Sequence, residues 1–228
     1  MMFQVGIGPE AEPAYLRPET CQSIFVDFPR LYKTMSGKLP LGIAQVGKSF
    51  RNEIAPRQSL LRLREFYQAE IEVFCNPNKL NEMERFSEVQ DTTIRILVDD
   101  KIQAMTCKEA VDSKTVPNKL VAYYLGLLSE FYEKTGIDMS KSRFRKLGDK
   151  EKAFYADVAF DFEVETTIGW LELVACNYRS DYDLTSHAKK SNEKFEVMDG
   201  EEKTLPHVFE LSMGIDRSLY TILEHSLK

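Results

Sequence analysis

Hydrophobic and polar residues alternate along several stretches of this chain, the pattern of β-strands that bury one face. From Glu65 to Cys75, acidic and polar residues alternate with apolar ones, which predicts an antiparallel strand. Residues 41–53 (LGIAQVGKSFRNE) predict a preceding strand, and the arginine-rich residues 54–64 predict a loop. The resulting long-loop hairpin brings four charged residues into one region of the fold: Arg51, Glu53, Glu70 and Glu72.

The second half of the chain predicts three further strands. Alternation from Asp157 to Glu165 indicates the first, and a turn over 166–169 leads into the second, from Trp170 to Cys176. One face of that second strand carries four residues: Trp170, Glu172, Val174 and Cys176. A short strand from Val208 to Ser212 is followed by a break at Met213-Gly214 and a helix from about Ile215 onward.

Helical spacing predicts two more elements. Thr20 is expected to cap a helix that Pro29 interrupts, and apolar residues over 117–134 predict a second helix. The glycines and prolines of residues 1–14 predict a loop, and the polar segment 80–112 predicts an insertion packed on the main sheet. Antiparallel strands with helices inserted between them predict an α+β domain rather than a doubly wound parallel one.

Composition narrows the class of protein. The chain has 228 residues, 43% hydrophobic and 29% charged, which is typical of a soluble globular protein. No apolar run reaches the roughly 18 residues needed to cross a bilayer, and no basic stretch leads into an apolar run, so we expect a cytoplasmic protein without membrane contact. The formal net charge of -6 argues against a surface that binds nucleic acid throughout, but allows a local basic groove.

Several common site types are excluded by the sequence. The four cysteines stand at long spacings without a CxxC pair, so we expect reduced thiols and no structural zinc: Cys21, Cys75, Cys107 and Cys176. The three histidines have no partner spacing and are interpreted as structural: His187, His207 and His225. Neither GxGxxG nor GxxxxGK[ST] occurs, so any phosphate site would have to use arginines on a sheet.

One arginine-rich cluster suits a nucleotide. It comprises Phe50, Arg51, Asn52, Glu53, Arg57, Arg62, Arg64, Glu65 and Phe66. A guanidinium binds phosphate in bidentate fashion, and an aromatic ring beside a second arginine sandwiches a flat base. The alternative is a solvated hairpin whose charges pair with one another.

Two further groups of residues could carry chemistry. The acids Glu19, Glu70 and Glu210, with Ser212, would bind an ammonium group if they converged, and otherwise are unrelated surface residues. Arg217 stands in the first turn of the last predicted helix, where backbone N–H groups already favour an anion. The alternative is an amphipathic helix in which Arg217 pairs with an acid. Glu172 is either a paired core acid or a contact to metal-bound ATP.

Five ordered segments resemble class II aminoacyl-tRNA synthetases, and within them the archaeal and eukaryotic glycyl-tRNA synthetases. These segments are YLRPET at 15–20, LPLGIAQVGKSFRNEIAPR at 39–57, LRLREFYQAEIEVF at 61–74, GWLELVACNYRSDYDLTSHA at 169–188 and HVFELSMGIDRSLYTILEH at 207–225. The FRNE stretch is similar to motif 2 of the class, and GIDRSLY is similar to motif 3. The resemblance implies the class II fold, an antiparallel sheet flanked by helices, with an inserted, mainly helical region.

The resemblance also implies a role for each site residue. Arg51 and Arg217 would be catalytic, on the α- and γ-phosphates of ATP, while Glu53 would read adenine and Phe66 would stack on it. The implied ATP-binding set is Arg51, Asn52, Glu53, Arg62, Leu63, Phe66, Glu172, Leu173 and Arg217. Glu172 would also hold Mg²⁺. The implied glycine-binding set is Glu19, Glu70, Glu210, Leu211 and Ser212.

The family activates glycine with ATP and Mg²⁺, then charges tRNA(Gly), and the full-length enzyme is expected to be a homodimer. We expect residues 1–228 to be a catalytic core without motif 1 or the anticodon-binding domain, with an insertion over 76–140. Leu211 stands where the family usually has proline. Two alternatives stay open: a paralogue that does not charge tRNA, or an RNA-binding accessory module that uses Lys141, Arg143, Arg145 and Lys146.

Overall fold

The structure is a computed structural model that describes residues 2–35, 37–56 and 58–227. Arg57 of the predicted arginine cluster lies outside these residues. The strands are β1 (Gln4–Ile7), β2 (Glu12–Tyr15), β3 (Leu41–Phe50), β4 (Glu65–Cys75), β5 (Thr93–Val98), β6 (Lys101–Thr106), β7 (Ser142–Lys146), β8 (Val158–Thr166), β9 (Gly169–Ser180), β10 (Val197–Asp199), β11 (Glu202–Thr204) and β12 (His207–Gly214). The helices are α1 (Cys21–Thr34), α2 (Cys107–Asp112), α3 (Lys119–Lys134), α4 (Tyr182–Ser191) and α5 (Ile215–Ser226).

An eight-stranded sheet organises the domain, in the order β3-β4-β12-β9-β8-β7-β5-β6. Its neighbouring strands are antiparallel except β5 and β7, which run parallel. The α+β class predicted from the alternating strands is therefore confirmed. None of the helices in the described ranges is both long enough and apolar enough to span a membrane.

Two hydrophobic cores cover the sheet. The larger lies between the strands and α3, and includes Leu125, Tyr132 and Phe162. The smaller lies under α1, where the ring of Phe28 stacks on that of Phe74 with centroids 4.0 Å apart. The two cores cover different parts of the sheet. Between β4, β12 and β9, neither core covers part of one sheet face.

The strand register brings polar residues together on that free face. Across the β4–β12 pair, Glu70 lies opposite Ser212, and Glu72 lies opposite Glu210. Alternation along β4 turns the intervening Ile71, and Val73 beyond Glu72, toward the larger core. The predicted strand from Glu65 to Cys75 is confirmed at both ends, since β4 spans these residues.

Several predicted boundaries are wrong. Residues 1–14 contribute a hairpin of β1 and β2 rather than only a loop, and α1 continues through Pro29 to Thr34. Helix α1 tolerates Pro29 because the burial of Phe25 and Phe28 holds the helix on the sheet. The strand predicted over 41–53 ends at Phe50, so that Arg51 and Glu53 lie in the loop that follows. Gly214 belongs to β12, so the break expected at Met213-Gly214 is absent.

The segment 80–112 is expected to pack on the main sheet, but its strands β5 and β6 instead join that sheet as an extension beyond β7. The wider region 76–140 also contains α2 and α3. The helix predicted over 117–134 is confirmed as α3, with the Asn118 side chain accepting a hydrogen bond from the Val121 N–H as its cap. Polar and apolar residues do not alternate clearly in the segment 80–112, so the sequence did not predict these two strands.

A β-bulge changes which residues of β9 share a face. The register of β8 against β9 shifts between Phe162 and Glu163, so that Glu163 lies opposite Glu172. Glu172 therefore faces the polar cleft while Val174 and Cys176 lie in the larger core. The prediction that these three residues share a face is wrong, because an extra residue in one strand reverses the alternation beyond it.

Candidate functional site

A cleft lies on the free face of the sheet, floored by β4, β9 and β12 and walled by the 51–66 loop region and the start of α5. Most of the residues singled out from the sequence line it: Glu19, Arg51, Glu53, Arg62, Leu63, Phe66, Glu70, Glu172, Leu173, Glu210, Ser212 and Arg217. The three separate groups of the sequence analysis therefore form one site. Asn52 and Leu211 are not among the lining residues.

One end of the cleft carries cationic and aromatic groups. The Arg51 guanidinium lies 5.3 Å from the centre of the Phe66 ring, and its Nε donates a hydrogen bond of 3.2 Å to the Pro18 carbonyl. Arg62 forms an ion pair of 3.0 Å with Glu53. Among the ion pairs of the described residues, none neutralises Arg51, so its charge is available to an anion.

Arg217 approaches the same end from the first turn of α5. Its Nε donates to the Leu61 carbonyl at 3.2 Å, and one terminal nitrogen donates to the Glu172 carbonyl at 3.1 Å. The carboxylate of Glu172 lies 3.7 Å from the same guanidinium. Helix α5 is held in place because Asp216 accepts a hydrogen bond of 2.6 Å from the Tyr67 N–H of β4. Two arginines from distant segments thus converge on one pocket.

The opposite end of the cleft is acidic. Glu70 accepts hydrogen bonds from the backbone N–H and hydroxyl of Thr20, both at 2.5 Å, and from the Gln68 amide at 2.9 Å. Ser212 donates to the same carboxylate at 3.1 Å. Thr20 stands at the predicted cap position of α1, but its hydroxyl binds Glu70 instead of capping the helix. These neutral donors fix the orientation of Glu70 and leave its negative charge uncompensated.

A buried ion-pair network supports Glu210. Arg179 donates to Glu210 at 2.8 Å and holds both oxygens of Asp183, at 2.7 and 2.8 Å. Asn177 donates to the other oxygen of Glu210 at 2.7 Å. Burial raises the pKa of Glu210 to about 7, although Arg179 and Asn177 act in the opposite direction. Burial alone would lower the pKa of Arg179, but the hydrogen bond to Asp183 and the charge on Glu210 raise it above its ordinary value.

Arg179, Asn177, Asp183 and Tyr155 are residues of this site that sequence reasoning missed. The signal for two of them is the four-residue spacing from Arg179 to Asp183, which spans the end of β9 and the first turn of α4. No pattern in the sequence points to Tyr155. Its ring stacks on the Arg179 guanidinium at 3.9 Å and lines the acidic end.

Glu72 lies behind the cleft and has an unusual environment. It is 0% exposed, and neither carboxyl oxygen has a hydrogen-bond partner among the described residues. Its ligand atoms and those of Cys21 and Glu210 all lie within 4.8 Å of one another. Burial, followed by the charge on Glu210, raises the pKa of Glu72 well above 4.5. We therefore expect the folded protein to hold Glu72 as a neutral acid at neutral pH.

Glu72→Gln is expected to stabilise the protein increasingly as the pH rises. Below the unfolded-state pKa both states keep the proton; above it, the unfolded chain releases the proton and the folded protein retains it, so wild-type stability falls with rising pH. The variant avoids this loss, which amounts to up to about 1.4 kcal/mol per pH unit. Urea unfolding of both proteins at about pH 5 and about pH 7.5 measures the difference.

The remaining charged groups around Glu72 are common to both proteins, and so largely cancel in this comparison: Glu70, Arg179, Asp183, Glu210 and the Cys21 thiol, whose pKa burial raises. Glu84→Gln, at an exposed position, is the control and should show no such trend. A stability difference that stays constant or shrinks with pH would mean that Glu72 is ionised in the folded protein.

The residues interpreted as structural have ordinary partners. His207 meets the Tyr178 hydroxyl at 2.7 Å, His187 meets Gln22 at 3.0 Å, and His225 meets the Glu165 carbonyl at 3.0 Å. The four cysteines are free and buried. In the basic cluster of β7, Arg143 pairs with Glu163 at 2.7 Å, and Arg145 pairs with Asp161 at 3.0 Å. This neutralisation argues against the alternative of an RNA-binding module on β7.

Comparison with known proteins places the chain in a family. The family described as "tRNA synthetase class II core domain (G, H, P, S and T)" matches residues 3–226. The chain is 43% identical over 206 residues to a glycine--tRNA ligase of Pyrococcus furiosus, covering 87% of this chain and 36% of the relative. It is 42% identical over 205 residues to glycine--tRNA ligase 1, mitochondrial, of Saccharomyces cerevisiae, covering 86% of this chain and 30% of the relative.

A solved structure shares the fold. Prolyl-tRNA synthetase of Giardia lamblia, in complex with prolyl-adenylate, superposes with a TM-score of 0.61 over 98% of this chain and 37% of that chain, at 18% identity. The chain thus spans about a third of the length of these proteins. The match over residues 3–226 nevertheless covers nearly the whole sequence, so the chain belongs to the family of class II tRNA synthetase core domains.

Proposed function

We propose that this chain is the catalytic core of a glycine--tRNA ligase, which activates glycine with ATP and transfers it to tRNA(Gly). The observation that carries the proposal is the polarity of the cleft: arginines and an aromatic ring at one end, and oriented carboxylates at the other. An aminoacyl-adenylate needs this arrangement, because it joins an anionic nucleotide to a cationic amino group. The relatives named glycine--tRNA ligase support the choice of amino acid.

At the cationic end, the proposed roles are those that the family resemblance implies for these residues. Arg51 would bind the α-phosphate, and Phe66 would stack on the adenine, whose exocyclic amine Glu53 would read. Arg217, with Arg62, would bind the outer phosphates of ATP. The lining residues Leu63 and Leu173 would pack against the nucleotide. Asn52 belongs to the FRNE stretch, but it is not among the residues that line the cleft, so we propose no direct contact from it to the nucleotide.

Glu172 is the proposed magnesium ligand. Its carboxylate is 45% exposed and lies beside Arg217, and hard oxygen ligands with phosphate groups are what Mg²⁺ prefers. The carboxylate of Glu172 therefore fits a magnesium ion. When bound, Mg²⁺ would neutralise phosphate charge. The charge of Arg217 acts in the same direction, on the pyrophosphate that leaves.

At the acidic end, Glu19, Glu70 and Glu210 would surround the glycine ammonium, and Ser212 would orient Glu70. The Arg179–Tyr155 stack and Asn177 close the space beyond Glu210. Crowding of this kind suits an amino acid without a side chain. Leu211 would contribute by its backbone in β12 alone, since its side chain lies in the larger core.

The proposed reaction has two steps. A carboxylate oxygen of glycine attacks the α-phosphorus of ATP, a P–O bond forms, and pyrophosphate leaves with the bonding pair of the bond that breaks. A ribose hydroxyl of tRNA then attacks the glycyl carbonyl carbon, an ester bond forms, and AMP leaves as its C–O bond breaks, its phosphate accepting the hydroxyl proton. Neither step needs a protein base, so positioning and charge stabilisation are the contributions of this chain.

We propose a homodimer for the full-length enzyme.

Calorimetric titration tests the proposal directly. The chain is titrated with ATP and Mg²⁺, and then with non-hydrolysable analogues of glycyl-adenylate and alanyl-adenylate. We expect the glycyl analogue to bind at least about 100-fold more tightly than ATP, because it engages both ends of the cleft. The alanyl analogue should bind about 10-fold more weakly than the glycyl one or worse, because its methyl group meets a crowded pocket. A folded chain that binds neither analogue would overturn the proposal.

A further inference from the structure

Three aromatic rings form an exposed cluster beside the acidic end of the cleft. Phe154 lies 5.2 Å from Tyr155 and 5.4 Å from Tyr182, centre to centre, with both contacts edge-on. Phe154 is 84% exposed and Tyr182 is 43% exposed. A phenylalanine ring projecting this far into solvent gains little burial on folding, so packing of the folded state does not account for the cluster.

The cluster is held on a fixed base. Tyr155 stacks on the Arg179 guanidinium at 3.9 Å, and Arg179 is itself buried in its network with Glu210 and Asp183. The backbone beside it is anchored, because Asp157 donates its N–H to the Tyr178 carbonyl at 2.8 Å. Lys152 donates to the Asp157 carbonyl at 2.8 Å. Phe154 therefore projects from an ordered support.

The cluster is continuous with the cleft. Tyr155 belongs to both, since it lines the cleft together with Asn177, Glu210 and Glu19. The candidate stack for the adenine of ATP, Phe66 beside Arg51, belongs to the cationic end. A second aromatic surface thus adjoins the end of the cleft where the glycyl group, which an acceptor has to reach, would bind.

We propose that Phe154, braced by Tyr155 and Tyr182, is a stacking platform for the 3′-terminal adenine of the tRNA acceptor end. This inference rests on the proposed function and adds a partner surface to it. Every nucleobase offers a flat face to an exposed ring, and stacking of one base on an aromatic side chain is worth enough to change binding about 5- to 100-fold. An apolar protein segment would need a wider apolar patch than one ring and its edge contacts.

A binding test does not depend on catalysis. The full chain is titrated into an RNA acceptor minihelix that carries 2-aminopurine in place of the terminal adenine. The fluorescence of 2-aminopurine falls when the base stacks on another ring. We expect quenching with wild type and with Phe154→Trp, and its loss with Phe154→Ala. Phe131→Ala is the matched control, because Phe131 is half-exposed on α3 and is not a lining residue of the cleft. Quenching that survives Phe154→Ala, or that is lost equally in the control, would overturn the platform.

A kinetic test separates this inference from the proposed function. Phe154→Ala should leave glycine-dependent ATP–pyrophosphate exchange within about twofold of wild type, while the transfer of glycine to tRNA falls about 5- to 100-fold. Absence of exchange in the wild-type chain would count against the proposed function and leave the fluorescence result to decide on the platform. Equal losses of exchange and transfer in Phe154→Ala would assign Phe154 a structural role and overturn the inference.

Discussion

Replacing Arg51 by alanine is expected to lower glycine-dependent ATP–pyrophosphate exchange by a factor on the order of 10²–10³. The Arg51 guanidinium is oriented by the Pro18 carbonyl and the Phe66 ring, and no ion pair among the described residues competes for its charge. In the proposed reaction, negative charge develops on the α-phosphate as the glycine carboxylate attacks. Removing a positioned cation at that point takes away stabilisation that water does not replace in a partly enclosed cleft.

Two measurements make this prediction specific. Calorimetry should show that Arg51→Ala weakens ATP binding, and urea unfolding should show a free energy of unfolding within about 0.5 kcal/mol of wild type, because Arg51 makes no buried ion pair. Arg85→Ala is the matched control, since Arg85 is an exposed arginine paired with Glu88 at 2.8 Å and lies outside the cleft lining. Unchanged exchange and ATP affinity in Arg51→Ala would remove Arg51 from the site.

The parts of the fold that the sequence predicted are those with an uninterrupted local pattern. Strand β4 alternates over its full length, and α3 keeps its apolar spacing from Leu120 onward, so both were predicted close to their observed bounds. The start of α5 at Ile215 was also predicted correctly, although the break expected before it is absent. Where tertiary contacts override the local signal, prediction was wrong: Pro29 lies within α1 because the buried face of that helix outweighs the cost of proline.

The same distinction between local patterns and tertiary contacts applies to the residues of the site. Residue types such as Arg51 with Glu53, or Glu210 with Ser212, suggested a ligand chemistry, but spacing alone could not bring them together. Their convergence depends on the pairing of β4 with β12, which no single segment encodes. The bulge beside Glu172 and the stack of Tyr155 on Arg179 depend on contacts between segments far apart in the chain. Such contacts leave no periodic trace in the sequence.

The two ends of the cleft differ in how their charges are supported. The arginines at the cationic end are half-exposed and held mainly by backbone carbonyls, so they can move toward a bound phosphate. Two carboxylates at the acidic end, Glu70 and Glu210, are buried and fixed by several donors each. A rigid acidic end suits discrimination of a small amino acid, since a pocket that cannot widen excludes side chains. Its rigidity depends most on one residue, Arg179.

Arg179→Met is therefore expected to lower the free energy of unfolding by about 3–5 kcal/mol at neutral pH, the cost of leaving buried charges without their partner. Arg179 is 3% exposed and is the cation that both Glu210 and Asp183 share, at 2.8 and 2.7 Å. Methionine keeps much of the stem volume, so loss of charge rather than a cavity dominates. The loss should grow between about pH 7 and about pH 9, because Glu210, whose pKa is about 7 in wild type, ionises there beside Arg179, whereas the variant must keep it protonated or bury it as an unpaired anion.

Urea unfolding of Arg179→Met and wild type across that pH range measures both effects. Arg30→Met is the matched control: Arg30 pairs with Asp27 at 3.2 Å on the exposed side of α1, and such a pair is worth at most about 1 kcal/mol. Arg179→Met should also weaken the glycyl-adenylate analogue more than ATP, because Glu210 loses its orientation while the cationic end is untouched. Equal losses of the two ligands, or a stability loss no larger than that of the control, would show that the acidic end does not depend on Arg179. If the pocket stays selective for glycine in Arg179→Met, that selectivity must come from the remaining groups of the acidic end, such as Glu70 and Ser212.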